Sequence, residues 1–183
     1  MKFLVLSDCE AGLPPMPPGE PDVVVSCGDV PRDVLKRILS GYAVSCLGVL
    51  GNHDAAVVPP GLQDVHLRVV EEGGVAFGGF GGSWRHKPRG HHLYVEAEVA
   101  ALLQGFPRVD VFIAHNPAAG IHDVEDGIHN GFAAFRRYID ERQPALFLHG
   151  HVHRRAETMV GRTRVVATVG ARMLDYTPGE PSG

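Results

Sequence analysis

Residues 145–153 read ALFLHGHVH, a short apolar run that passes directly into a cluster of three histidines. A run of four apolar residues that stops at polar ones is typical of a strand buried in a sheet. The histidines then stand where the strand ends, and ligands of α/β sheets bind beyond the carboxyl ends of the strands. This stretch therefore predicts an α/β sheet with metal-capable side chains along one edge.

Four other apolar runs end in the same way. They are Lys2–Ser7, Asp22–Cys27, Ala43–Leu50 and Val109–Ala114. The polar residues at or just beyond their ends are Asp8, Asp29, Asn52 with His53, and His115. Each taken alone has an ordinary structural reading, such as a turn former, a helix cap or a satisfied loop histidine. Together they form a set of nitrogen and oxygen donors without thiolate, which suits ions such as Mn, Fe or Zn. We therefore predict that the five strand ends converge on one metal site.

Helices and hairpins separate these strands. The apolar spacing predicts helices over residues 31–39, 95–103 and 130–141, and turn chemistry predicts hairpins around residues 71–74 and 161–162. Such an order indicates a layered α/β domain with a mixed sheet or two stacked sheets. The 183 residues fit one domain, which we place at residues 1–176, with a flexible tail at 177–183 that is rich in Pro and Gly.

The composition of the chain excludes some classes of binding partner. The net charge of −4 argues against binding duplex nucleic acid, because that affinity needs clustered Lys and Arg. No apolar run approaches the ~18 residues of a membrane span. Three cysteines cannot form a full disulfide framework, so a reducing cytoplasm is expected. The oligomeric state is left open.

The ordered motifs resemble those of the calcineurin-like metallophosphoesterases, in particular their small bacterial members. The matching motifs are Gly28-Asp29, Gly51-Asn52-His53-Asp54, the lone His115 and Gly150-His151-Val152-His153, so the match spans residues 8–153. The resemblance implies a four-layer α-β-β-α sandwich with two mixed β-sheets. It also implies a phosphoesterase with a binuclear metal centre, in which a hydroxide held between two divalent ions attacks phosphorus. Mn is expected at this centre, with Fe, Zn or Ni as other candidates.

The resemblance also implies a role for each motif residue. Asp29 would bridge the two ions. The ligands of one ion would be Asn52, His115 and His151, and those of the other would be Asp8 and His153. His53 would not bind metal but would protonate the leaving oxygen of the substrate, with Asp54 as the residue that orients it.

One residue departs from the family pattern. Where the family has DxH, this chain has Asp8-Cys9-Glu10. If the strand stays extended, Asp8 and Glu10 face the same way, and Glu10 could replace the imidazole with a carboxylate. The alternative is that Glu10 turns away and the ion at this position is weakly held or absent.

Basic residues near the site are candidates for a substrate-binding rim. We name Arg85, His86 and Arg154 as groups that could bind a substrate phosphate, and a solvated loop is the plainer interpretation. The expected substrate is a small phosphate ester or a nucleotide-like molecule. A phosphodiester is favoured over a phosphoprotein because residues 28–33 read GDVPRD where phosphoprotein phosphatases of this family have GDxVDRG.

Two other functions are open at this point. Glu10 is compatible with a catalytically impaired scaffold or binding protein that kept the fold, as the retromer subunit with this fold is thought to be. A single-ion nuclease or nucleotidase would follow if Glu10 is not a ligand.

Overall fold

Thirteen strands and three helices form the part of the chain that this computed structural model describes, residues 1–177. The strands are β1 (Lys2–Ser7), β2 (Val23–Ser26), β3 (Ser45–Gly48), β4 (Gln63–Asp64), β5 (Val69–Glu72), β6 (Val75–Phe80), β7 (Ser83–Trp84), β8 (Leu93–Tyr94), β9 (Val111–Ala114), β10 (Leu146–His149), β11 (Ala156–Val160), β12 (Thr163–Ala167) and β13 (Gly170–Asp175). The helices are α1 (Arg32–Leu39), α2 (Glu96–Leu103) and α3 (Ala133–Arg142). The tail expected at 177–183 lies outside the described residues from residue 178 onward, and the domain boundary at residue 176 stays a prediction.

The strands form two mixed sheets. The first has the order β13-β1-β2-β3-β4, in which only β13 runs antiparallel to its neighbour. The second has the order β11-β12-β10-β9-β6-β5, with a parallel centre and an antiparallel strand at each edge. The strands β7 and β8 form a separate parallel pair.

Apolar side chains fill three interfaces. Phe3 and Val25 of the first sheet pack against Phe77 and Ile113 of the second, which closes the space between the sheets. On the outer face of the first sheet, Leu4 and Val24 contact Leu35 and Ile38 of α1. On the outer face of the second, Phe112 and Phe147 contact Phe135 and Ile139 of α3, with Val99 of α2. The result is the four-layer α-β-β-α sandwich with two mixed sheets, so the predicted fold class is confirmed.

Two of the differences from the sequence prediction have a clear physical reason. In the hairpin predicted around residues 71–74, the first strand begins only at Val69, because Leu67 has a φ of +54°, a left-handed conformation that breaks the extended path. Pairing resumes only at β5. The strand β13 was not predicted, since its sequence GARMLD has neither a continuous apolar run nor strict alternation. Its antiparallel pairing with β1 covers what would otherwise be a sheet edge.

The candidate site lies where the central strands end, because those strands run in the same direction within each sheet. The strands β1, β2 and β3 run parallel in one sheet, and β9 and β10 run parallel in the other, so each sheet delivers its carboxyl-terminal residues to one edge. Within residues 1–177, no helix is long and apolar enough to cross a lipid bilayer.

Candidate metal centre

The ends of β1, β2 and β9 bring Asp8, Asp29 and His115 together. One donor atom from each of the three side chains lies within 4.8 Å of the other two, and all three residues are buried. Two carboxylates held this close inside a protein need compensating positive charge. The oxygen and nitrogen donors that meet here are those that divalent ions such as Mn or Zn accept.

The hydrogen bonds of His115 indicate that its ring could bind a metal ion. Its Nδ1 lies 2.9 Å from the Cys27 carbonyl oxygen, which can only accept, so Nδ1 carries a hydrogen. Its Nε2 lies 3.1 Å from Asn52 Oδ1 and 3.2 Å from Asp29 Oδ2, two further oxygen acceptors. In the metal-free chain a second proton on Nε2 satisfies both oxygens. A divalent ion would replace that proton and meet the same three atoms, so these residues fit a metal.

The charges of this pair follow from the geometry. Burial alone would lower the pKa of His115, but the facing Asp29 carboxylate outweighs burial and raises that pKa to about 9. Burial would likewise raise the pKa of Asp29, yet the His115 charge and its hydrogen bonds bring that pKa down to about 2. Without metal, Asp29 and His115 therefore form a buried ion pair.

Asp29 also ties two loops together. Its Oδ1 accepts the His53 backbone N–H at 2.8 Å. The Asp54 carboxylate in turn accepts the N–H groups of Asp29 and Gly51, each at 2.8 Å. A β-carbon on Gly51 would overlap the Asp29 carboxylate, so only glycine permits this approach. Asp54 is expected to orient the His53 ring. In the structure its carboxylate instead binds the backbone next to His53 and at Asp29.

Asp8 and His151 form the opposite wall. The Asp8 carboxylate accepts the His151 backbone N–H at 3.0 Å and the Ser7 hydroxyl at 2.9 Å. Burial raises the pKa of Asp8. The His151 ring lies 4.9 Å from the His115 ring between centroids, and burial with the His115 charge lowers its pKa to about 3. Because His151 Nε2 bonds the Ile128 carbonyl at 3.0 Å, Nε2 carries the hydrogen and Nδ1 keeps its lone pair.

Four of the predicted ligands share an unusual backbone conformation. The φ angles are +51° at Asp8, +54° at Asp29, +68° at His151 and +49° at His153. Non-glycine residues rarely adopt this left-handed region, and such strain is concentrated at functional sites. The strand ends are therefore shaped to direct side chains and not to continue the sheet.

Glu10 lies at the site, although not because side chains alternate along an extended strand. The strand β1 ends at Ser7, and the left-handed Asp8 breaks the extended path. The Glu10 carboxylate nevertheless lies in a second cluster with Asp29 and His53, in which donor atoms are within 4.8 Å of one another. Glu10 and His53 are both exposed, so this cluster forms the solvent side of the site.

The remaining predicted residues lie around the rim. His153 is exposed, with its ring 6.1 Å from that of His129. Arg85 donates to the Glu98 carboxylate at 2.9 Å, and Arg154 donates to the His122 carbonyl at 2.8 Å. His86 Nδ1 lies 3.1 Å from the Trp84 carbonyl. Within residues 1–177, the three candidates for substrate binding thus contact groups other than the clustered ligands.

The loop after β9 places further residues next to the candidate ligands, although their signal in the sequence is weak. The His129 ring lies 5.0 Å from that of His151, and its Nδ1 bonds the Asp126 carboxylate at 2.6 Å. These hydrogen bonds from His129 and the loop backbone lower the pKa of Asp126. The only signal in the sequence was the density of His and Asp over residues 122–129. The Ile128 carbonyl that bonds His151 gave no signal, because any residue supplies a carbonyl.

A buried histidine stands behind the site. His149 Nδ1 donates to the Gly150 carbonyl at 3.0 Å, so its Nε2 must accept, and it does so from His122 Nδ1 at 3.0 Å. His122 Nε2 then accepts from the Thr158 hydroxyl at 2.9 Å. Burial lowers the pKa of His149 to about 3, which keeps it neutral. This chain of hydrogen bonds fixes the backbone directly before His151.

Comparison with known proteins agrees with the fold and the motifs. The model of the calcineurin-like phosphoesterase superfamily domain matches residues 1–177. No curated protein matches the chain in sequence.

Solved structures show the same fold at low sequence identity. A Thermus thermophilus protein aligns with a TM-score of 0.63 at 18% identity, over 92% of this chain and 88% of the other. The phosphopantetheinyl hydrolase of Mycobacterium tuberculosis aligns with a TM-score of 0.61 at 13% identity, over 100% and 98%. Vps29 of Entamoeba histolytica, in a complex with Zn²⁺, aligns with a TM-score of 0.51 at 14% identity, over 93% and 74%. The resemblance drawn from the motifs is confirmed, and the chain belongs to the calcineurin-like phosphoesterase superfamily.

Proposed function

We propose that this protein is a phosphoric ester hydrolase that depends on two divalent metal ions and acts on phosphodiesters. Members of its superfamily are usually metal-dependent phosphoesterases. The observation that carries the proposal is that Asp29 lies within reach of donors assigned to both ions, His115 and Asp8 in one cluster and Glu10 in the other. A carboxylate shared in this way is what a bridging ligand requires.

The proposed ligands divide between two ions. Asn52, His115 and His151 would hold the first, and Asp8, Glu10 and His153 the second, with Asp29 shared. The additional carboxylate of Glu10 favours a hard ion, so Mn is the first candidate, with Fe, Zn or Ni after it. When bound, the ions would activate the attacking water and stabilise charge on the phosphoryl oxygens.

The chain itself positions the proton donor. The Asp29 carboxylate fixes the His53 backbone, while the His53 ring stays exposed beside Asp29, where a substrate would arrive. From there the ring can give a proton to the leaving oxygen. Asp54 supports this arrangement by holding the Asp29 and Gly51 amides.

The sequence after Asp29 favours a small substrate. Pro31 and Arg32 start α1 in place of the family's phosphoprotein-phosphatase motif. A small phosphate ester or a nucleotide-like diester is therefore the proposed substrate. The three cysteines are buried and free, which is compatible with the predicted reducing cytoplasm.

The test is hydrolysis of bis(p-nitrophenyl) phosphate by protein stripped of metal and then supplied with Mn²⁺. We expect activity only with the metal, and its loss in Asp29→Ala and His53→Ala. His66→Ala is the matched control, because His66 bonds the Gly81 backbone outside the donor clusters and its loss should leave turnover intact. Full activity in the Asp29 or His53 variant would rule out this mechanism.

The alternative is a catalytically impaired scaffold with the same fold, and Glu10 is the feature that favours it. Metal analysis of the purified protein separates the candidates. Two ions per chain support the binuclear hydrolase, a single ion supports a one-ion nuclease or nucleotidase, and less than one favours the scaffold.

A further inference from the structure

A cavity of about 220 Å³ opens beside the two residues that face the proposed reaction, Asp29 and His53. Its other walls come from three segments: Glu10 after β1, residues 30–32 at the start of α1, and residues 50–59 after β3. The residues assigned above as metal ligands or proton donor account for only part of this lining.

The rest of the lining is mostly apolar. Val30 and Leu50 are buried, at 4% and 7% exposure, and form its inner surface. Pro59 and Val57 form the outer surface, and Val57 is 78% exposed. An aliphatic side chain left this open next to a cavity gains stability when an apolar group covers it.

The charges around the cavity select against an anionic occupant. Three carboxylates line it, those of Glu10, Asp29 and Asp54, against one guanidinium, that of Arg32. Metal ions would offset the charge of the clustered ligands at the end near Asp29, where a phosphate belongs. A second anionic group lying against the apolar part of the lining would lose its hydration, and the Asp54 carboxylate would repel it.

We propose that this cavity binds the organic group of the phosphate ester, and that the group is a small, uncharged, apolar one such as a single ring or a branched alkyl group. A volume of about 220 Å³ is below the ~300–1,000 Å³ of clefts that enclose drug-sized ligands, which sets the size. The proposal rests on the proposed function for the position of the phosphate, and it adds the class of alcohol that the ester carries.

The test measures binding without turnover. Phenylphosphonate and methylphosphonate present the same phosphonate to Mn²⁺-loaded protein and differ only in the organic group. Titration calorimetry should show phenylphosphonate binding at least about tenfold more tightly, as expected when an apolar pocket is filled. 4-Carboxyphenylphosphonate should lose that advantage, because its carboxylate would be desolvated against the apolar lining.

Two variants assign the preference to this cavity. Val57→Asp should reduce the phenyl-to-methyl ratio to below about threefold. Val69→Asp is the matched control, an exposed valine on the edge strand β5 that does not line the cavity, and it should keep the full ratio.

The outcomes separate this proposal from the proposed function. Equal binding of the two phosphonates, failure of both to bind, or a ratio that survives Val57→Asp would overturn the cavity assignment, even if bis(p-nitrophenyl) phosphate is hydrolysed. Undiminished binding of the carboxylated compound would overturn the requirement for an uncharged group. A phenyl preference without any hydrolysis would support the cavity and refute the hydrolase.

Discussion

Metal binding should displace a proton from His115. In the metal-free chain His115 Nε2 lies between the oxygens of Asp29 and Asn52 and needs a hydrogen to satisfy them. Its raised pKa of about 9 means that nearly every molecule carries that proton at pH 7. An ion that binds Nε2 must remove it, so the affinity for metal depends on pH.

The magnitude follows from the difference between pH 7 and the pKa. Removing the proton at pH 7, two units below the pKa, costs about 1.36 kcal/mol per unit, or ~2.7 kcal/mol in total. This cost raises the dissociation constant for the metal about 100-fold. Below pH 9 the affinity should therefore rise about tenfold for each pH unit, and this rise should stop above pH 9.

Titration calorimetry in buffers with different ionisation enthalpies counts the protons released. We expect His115→Asn to release about one proton fewer per chain than the unmodified protein at pH 7. His66→Asn is the control, because burial lowers the pKa of His66 and leaves it neutral at this pH. Equal proton release from the His115 variant and the unmodified protein would refute the reasoning.

Three further predictions concern stability. Asp54→Ala leaves two backbone N–H groups without their acceptor and should cost ~2–4 kcal/mol in urea unfolding, with Asp54→Asn recovering part of it because its oxygen still accepts. His122→Ala removes the partner of buried His149 Nε2 and should cost ~1–3 kcal/mol, whereas Thr158→Ala, which acts at an exposed hydroxyl, should cost less than ~1 kcal/mol. In metal-free protein, the folded pKa of His115 of about 9 exceeds its usual 6.5, so its contribution of ~3 kcal/mol is complete below pH 6.5 and is lost as the pH rises through 9. Unfolding curves across that range should show the decline in the unmodified protein and a flatter profile in His115→Asn.

The positions of Asp29 and His115 could be predicted because they depend on local patterns. Each follows a continuous apolar run, and such runs become buried strands wherever helices cover both sheets. Parallel pairing then brings the strand ends of each sheet to one edge, and the stacking of the two sheets places Asp29 and His115 side by side. The α1 helix was likewise predictable from the apolar spacing of Val34, Leu35 and Ile38.

Other contacts depend on partners that are distant in the sequence. Alternation does not decide whether Glu10 reaches the site, because it assumes an extended chain, whereas the left-handed Asp8 sends residue 10 around a turn. The partner of Arg85 could not be foreseen either, since Glu98 lies on α2 and caps that helix. The bond between the Ile128 carbonyl and His151 is also unpredictable from the sequence, because every residue has a backbone carbonyl.

The left-handed backbone at Asp8, Asp29, His151 and His153 has a consequence for how this protein changes under selection. Glycine adopts that conformation without a steric penalty, so replacing the exposed His153 by glycine would relieve strain while removing a donor, whereas Asp8, Asp29 and His151 also make hydrogen bonds that such a change would break. Selection for thermal resistance alone would therefore favour the loss of the His153 side chain over its retention. A histidine held in this conformation exchanges stability for a donor atom, so at His153 the chain remains less stable than its fold allows.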